Sequence, residues 1–312
     1  MSTDTEGRIQ SRFDAIKRSR RVRAVGYLVL IVGVLLVFDF SLSAVEFDMA
    51  ELQKYFPNFL EALQDFFPVT TYFGALPFLD VGRYWQFVEA RNLFGEAHIT
   101  LAMGFAGTVI GFPLALLFGV LGSGRVTPFP FNFLFRGVMS SIRAIPAIVW
   151  ALIYVPLGGL GPTTATLAIA TDTIGNLGRL FTDELEEIED GPIEAMRTTG
   201  GDRRQIITFG MLSQVHTSFI AWTLYIFEIN VRIAVTLGVI GGGGLGQVLK
   251  VQQGLFNFTN MMATIFVIMT LILTIELFSQ RIRAYLRADE SAMSLKELVL
   301  GFPQRMAEAL TR

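Results

Sequence analysis

The stretch "FEINVR", Phe227 to Arg232, places groups that can do chemistry inside an otherwise apolar run from about Ser218 to Ile240. A charged side chain in hydrocarbon costs at least about 2.5 kcal/mol even on a lenient scale, so such groups either pair or meet a polar solute. Glu228 and Arg232 lie four apart, share a helix face and are expected to pair; Asn230 stands between them. Arg143 and Asp172 fall in two further apolar runs, near where an internal cavity would lie. For an anionic solute, Arg232 or Arg143 offers a transient attraction; the competing reading makes all five residues structural bridges between helices. His98 and His216 are isolated, without metal-ligand spacing, and no Ser-His-Asp or paired-carboxylate set can be assembled. No metal site and no cofactor are expected.

"GVIGGGGLGQVL", Gly238 to Leu249, has the glycine density of a phosphate-binding loop but not its chemistry. A P-loop needs Lys followed by Ser or Thr, so that the backbone and the ammonium together hold the phosphates. The four lysines precede Arg18, Tyr55, Val251 and Glu297, so none qualifies. Nor does the stretch have the strand context of a dinucleotide fingerprint. Gly241, Gly242, Gly243, Gly244 and Gly246 then read as a flexible re-entrant turn or helix break near one membrane face, with direct ligand contact as the alternative. If ATP drives this protein, another polypeptide hydrolyses it.

A third stretch, "EAMRTTGGDRRQ" (Glu194 to Gln205), is polar and charged between two apolar runs. Asp190-Gly191-Pro192 stops one helix and starts another, with Asp as cap and Pro tolerated in the first turn. Gly200 suits a left-handed C-terminal cap, and Asp202 with Gln205 forms a capping box for the next helix. The spacing predicts a short helix crossing the surface, with Glu194 beside Arg197 bracing the turn. Small Ala195 would let a partner's surface approach closely.

The elements that must hold these residues are membrane-spanning helices. Hydrophobic residues make up 52% of the 312 and charged ones 17%, against about a quarter charged in soluble domains; mean hydropathy is +0.52. A net charge of -2 argues against a nucleic-acid partner. A span needs roughly 20 apolar residues. Six runs meet that need, at about Ala24–Val45, Ile99–Leu121, Leu134–Leu157, Thr163–Leu180, Ser218–Ile240 and Met261–Leu277. The first could instead be a cleaved signal peptide, although its polar leader is long for one. Arginines and Lys17 in residues 1–23, and Arg281, Arg283 and Arg287 after the last run, place both termini in the cytoplasm. Residues 46–96 then lie outside, with aromatics suited to short helices in the membrane interface. The tail, 287–312, reads as one amphipathic cytoplasmic helix.

Glu194-Ala195, Gly200 and Leu212 resemble the "EAA" motif of ABC-importer permeases, with Met196, Gly210 and Ser213 where alanine, isoleucine and proline are usual. "RAIPAIVWALIYV" (from Arg143), "DTIGNLGRLFTDELEEIEDGPIEAMRTTG" (from Asp172), "FEINVR" and the glycine-rich stretch are similar to the phosphonate-importer permease, over roughly Phe94 to Leu286. A methionine-importer permease shares the glycine-rich part. The resemblance implies an all-α, polytopic, type I importer fold over 97–286, in which 192–200 is the coupling helix. Glu194, Ala195, Met196, Arg197, Gly200 and Gly201 would meet the ATPase. It further implies a homodimer in the cell membrane, two ABC ATPase subunits, and an extracytoplasmic phosphonate-type solute-binding protein. The cargo would be phosphonate or a related phosphorus oxyanion. A methionine or other amino-acid importer is the alternative, then an ATP-independent carrier, and last an intramembrane enzyme.

Overall fold

The computed structural model describes residues 3–72 and 76–286; the expected amphipathic tail lies outside them. The chain divides into two compact units, Met1–Ala62 and Leu63–Arg312. The first unit is dominated by helix α1 (Thr3–Ala44), which runs unbroken through the basic leader into an apolar stretch, Val22–Ala44, with none of it buried. Helix α2 (Met49–Phe66) follows, with apolar residues on one side and no buried position.

In the second unit, the segment expected to hold only short helices also contains a hairpin. Strands β1 (Val69–Tyr72) and β2 (Leu76–Leu79) pair antiparallel, with Val69 opposite Leu79. The Tyr72 hydroxyl donates to Leu79 O and accepts from Val81 N at the mouth of helix α3 (Val81–Ala90). Asp80 caps that helix by accepting from Arg83 N. Tyr84 donates to Phe66 O at 2.5 Å, and its phenol is held protonated, first by burial and then by nearby Asp80.

Helices α4 (Leu93–Gly122), α5 (Phe131–Ala144), α6 (Ala147–Gly158) and α7 (Pro162–Glu186) form the centre. Among the described residues four helices are long and apolar enough to cross a membrane, and a fifth span is the pair α5–α6. That pair corrects the sequence reading of one helix from Leu134 to Leu157. It bends by 90° at Ile145-Pro146. Pro146 supplies no N–H to the ladder and restricts the residue before it, so the helix cannot run through. Helix α7 is not among the apolar helices, because Asp172, Asn176 and Arg179 interrupt its Ala/Thr/Leu run. Its burial comes from its neighbours instead.

The seam between α4 and α7 is made by glycines. A Cβ at Gly107 would stand 2.7 Å from Ile169 Cβ, one at Gly111 2.5 Å from Ala170 O, and one at Gly119 2.8 Å from Gly178 O. The two helices therefore run parallel with backbones in contact, as small residues permit in membranes. Thr182 closes the seam by donating to Gly119 O at 2.9 Å.

After α7 come the short helix α8 (Asp190–Thr198), a single turn α9 (Arg203–Gln205), a π-helical stretch Ile206–Met211, and the long helix α10 (Leu212–Leu237). A second π-helical stretch, Gly238–Gly242, leads into helix α11 (Gly244–Gly254), and helix α12 (Phe258–Leu286) ends the described chain. Helix α10 joins the seam where Val231 meets Gly104. Stacked Phe181 and Phe219, 4.0 Å between centroids, fill the space nearer α8.

Candidate functional site

The polar elbow between α7 and α10 is built largely as its residues require. Gly200 has φ +81°, its N–H bonds Arg197 O, and Gly201 N–H bonds Met196 O. These are the two hydrogen bonds of a glycine-terminated helix end. Asp202 and Gln205 exchange both bonds of a capping box. The start of α8 departs from expectation. Glu189 occupies the N-cap with no side-chain bond, and Asp190 lies inside the helix, 2.6 Å from Arg125 Nη1. Nor do Glu194 and Arg197 close an ion pair; both side chains are exposed.

What braces α8 instead is the α4–α5 connection. Arg125 bonds Glu186 O as well as Asp190, Arg136 pairs with Glu186 and donates to Gly122 O, and Arg203 donates to Val126 O at 2.6 Å. Beneath, Ile193 is buried with Val126, Ile188 and Met211. Met196 and Gly210, both departures from the usual motif, fit each other: a Cβ at Gly210 would stand 3.0 Å from Met196 Sδ. Glu194, Ala195, Arg197 and Gly200 remain on the outer side, without protein cover.

At the other end of α10, Gly241, Gly243 and Gly244 all have positive φ, 106°, 93° and 66°. The break expected from sequence is present, but it is packed rather than open. Leu245 N–H donates to Thr100 Oγ1 at 2.9 Å, and Gly242, Gly243, Gly244 and Gly246 are all buried. A Cβ on Gly246 would overlap Val235 O and stand 2.9 Å from Gly238 Cα.

The five polar residues of the spans do not converge. Asn230 is fully buried and donates to Thr108 and Thr173, both at 2.8 Å, tying α10 to α4 and α7. Glu228 and Arg232 are not partners, which corrects the sequence reading. Glu228 pairs with Arg283 at 2.8 Å and Arg232 with Glu276 at 3.6 Å. Residues four apart do share a face, but here that face lies against antiparallel α12, which offers an opposite charge to each. Glu276 stands inside the last apolar run, and that was the signal available in sequence for this ladder.

Arg143 and Asp172 do come together, through a residue the sequence reading passed over. Arg143 Nε donates to Asn176 Oδ1 at 3.1 Å, and Asn176 Nδ2 donates to Asp172 Oδ2 at 2.9 Å. Asn176 follows Asp172 by four, one turn along α7. Arg179 and Asp183 continue the same stripe and pair with each other at 2.8 Å.

Comparison with known proteins bears on this arrangement. Residues 93–289 match the family model described as "Binding-protein-dependent transport system inner membrane component". HtxC of Stutzerimonas stutzeri, named as a phosphite transport system permease, is 31% identical over 80% of this chain and 93% of that protein. PhnE of Mycolicibacterium smegmatis, named as a phosphate-import permease, is 35% identical over 62% of this chain, although the match spans 37% of PhnE. Among solved structures, the inward-facing MetNI methionine ABC transporter aligns with TM-score 0.55 and 23% identity, covering 67% of this chain and 99% of that one. At that identity the likeness is one of fold. With an all-α polytopic fold, an exposed elbow and no nucleotide loop, the chain belongs to the family of inner-membrane components of binding-protein-dependent transport systems.

Proposed function

We propose that this chain is the permease of an ATP-driven importer for phosphonate or a related phosphorus oxyanion, working as a homodimer. The observation that carries the reading is α8: a short helix tied from behind by the Arg125–Asp190 pair, between neighbours that Arg136 and Arg203 fix to α4, α5 and their connection, with Glu194, Ala195, Arg197 and Gly200 left uncovered in front. A solvated turn would need no such bracing. Two ATPase subunits dock there, and residues 192–200 carry their closure into the spans. Ala195 and Gly200 give the approach its closeness, while Met196 and Gly201 hold the rear. The pivot at the far end of α10 is the reversal at Gly241, Gly242, Gly243, Gly244 and Gly246.

Residues 97–286 form the transport domain, with α7 as a sixth crossing shielded by its neighbours. Residues 24–45 add one span, 46–96 face outward, and 1–23 and 287–312 face the cytoplasm. An extracytoplasmic binding protein delivers the cargo. The phosphite and phosphate permeases among the relatives, at 31% and 35% identity, favour an oxyanion over methionine, whose permease MetI of Pasteurella multocida is more distant at 27%. The candidate path is sought among Arg143, Asp172, Glu228, Asn230 and Arg232.

Uptake of labelled methylphosphonate, phosphate, phosphite and methionine, with and without this gene, tests the reading. Gene-dependent uptake of at least one phosphorus compound is expected. Uptake of methionine alone would overturn it.

A further inference from the structure

Of the polar residues in the spans, Arg143 differs from the other arginines in what it does with its charge. Arg136, Arg179, Arg232 and Arg283 each end on a carboxylate: Glu186, Asp183, Glu276 and Glu228. Among the described residues Arg143 has no carboxylate within ion-pair distance; its Nε bonds the neutral amide of Asn176, and no described group takes its two terminal nitrogens. The side chain is nonetheless exposed. A guanidinium without a directly bound carboxylate is costly to keep among apolar helices, and here it is held through an amide.

Three residues of α7 make the seat. Gly175 lets the aliphatic stem of Arg143 lie against the helix, since a Cβ there would stand 2.9 Å from Arg143 Cγ. Asn176 fixes Nε. Asp172 fixes Asn176: a carboxylate only accepts and a guanidinium only donates, so the amide has one orientation that satisfies both. Asp172 thus orients the cation through Asn176 without occupying its terminal nitrogens. The seat is deep. Arg143 lies about 18 Å along α5 from Phe131, and Asp172 about 15 Å along α7 from Pro162, at 1.5 Å per residue.

We infer that Arg143 is the residue that meets the passing oxyanion, with Gly175, Asn176 and Asp172 as positioning residues for its guanidinium. Two free Nη groups in a fixed plane match two oxygens of a tetrahedral phosphorus group. One such contact from each protomer, with no carboxylate bound to the Nη groups to compete, draws the anion in. Arg232, the other candidate from sequence, is engaged by Glu276. The inference rests on the oxyanion reading above, and the two fail in different ways.

The test uses the full transporter with its ATPase, measuring uptake of methylphosphonate, phosphite and phosphate against concentration, together with membrane level and ATPase co-purification. Arg143→Gln should raise KM about tenfold, the loss of one charge-assisted contact, with assembly intact. Arg143→Lys should fall between, because an ammonium keeps the charge and loses the fork. Asn176→Asp is the sharper variant. It leaves Arg143 in place but sets a carboxylate against Nε, so KM should rise several-fold although the cation is still present. Should Arg143→Gln fail to reach the membrane, Asn176→Asp decides. An unchanged KM in an assembled Arg143→Gln, or in an assembled Asn176→Asp, overturns the inference and leaves the importer reading standing. A wild-type transporter that takes up none of the three anions overturns that reading first, and the inference with it.

Discussion

The two ends of helix α10 both carry glycine-rich reversals, and the glycines do different work. At the elbow, Gly200 has nothing within 4 Å of where a Cβ would be; it is there for its positive φ. At the far reversal, Gly238 and Gly246 occupy positions where any Cβ strikes backbone. One end needs a conformation and is held by ion pairs that water can replace. The other needs positive φ at Gly241, Gly243 and Gly244 and, at Gly238 and Gly246, absence of volume as well. The elbow can be disturbed and still fold, while the reversal is bound up with the fold itself. If α8 couples to an ATPase as proposed, transmission of force and integrity of the bundle fall to opposite ends of one helix.

The comparison is broken most directly by Gly246→Ala. Insertion of a methyl against Val235 O and Gly238 Cα forces the backbone apart, an overpacking cost of about 3 kcal/mol, the upper end of the usual range. The expected outcome is loss of folded protein from the membrane, read by detergent-solubilised monodispersity and thermal melting. A variant with wild-type melting would remove the steric account of this reversal.

An intermediate effect is expected from the clamp behind α8. Asp190→Arg should leave the protein in the membrane and the ATPase still able to co-purify, but uptake should fall several-fold as α8 loosens from the α4–α5 connection. The swap Arg125→Asp with Asp190→Arg should recover part of it, since the pair is remade at a partly exposed site with the sign reversed. Recovery will be incomplete because Arg125 also bonds Glu186 O. If the swap behaves no better than Asp190→Arg alone, the clamp does not act through that ion pair.

The smallest effect should come from Gly200. Alanine there carries only the penalty of left-handed backbone, about 1 kcal/mol, and asparagine less, because its side chain tolerates that region. Melting temperature should order as glycine, asparagine, alanine over a few degrees. A loss as large as that at Gly246 would erase the distinction between the two ends.

Features set by neighbours in sequence were legible before the structure. Gly200 and the Asp202–Gln205 box are local, and both stand where the residue types put them. Features set by partners far along the chain were not. The i, i+4 rule placed Glu228 and Arg232 on one face but could not weigh Arg283 and Glu276 arriving from α12. Pro146 announced the α5–α6 bend, yet the apolar count on both sides hid it, because hydropathy is blind to direction. Asn176 was overlooked for a related reason: an uncharged amide carries no electrostatic signal until something charged is seen on each side of it. The glycines of α4 looked like ordinary membrane composition until α7 was laid against them.

The seam they form has a mechanical consequence. Side chains between helices act as bearings, since they can change rotamer and let one rod slide past another. Over Gly107, Gly111 and Gly119 helix α4 contributes no side chain, and Ile169, Thr173 and Phe181 of α7 sit directly on its backbone. A slide along the axis would carry those α7 side chains off the glycines and onto neighbouring α4 residues that have a Cβ. The two helices are therefore keyed in a single register and travel as one strut. Any change of shape in this protein must pass around that strut, through the bent α5–α6 pair on one side or the charge-laddered α10 and α12 on the other.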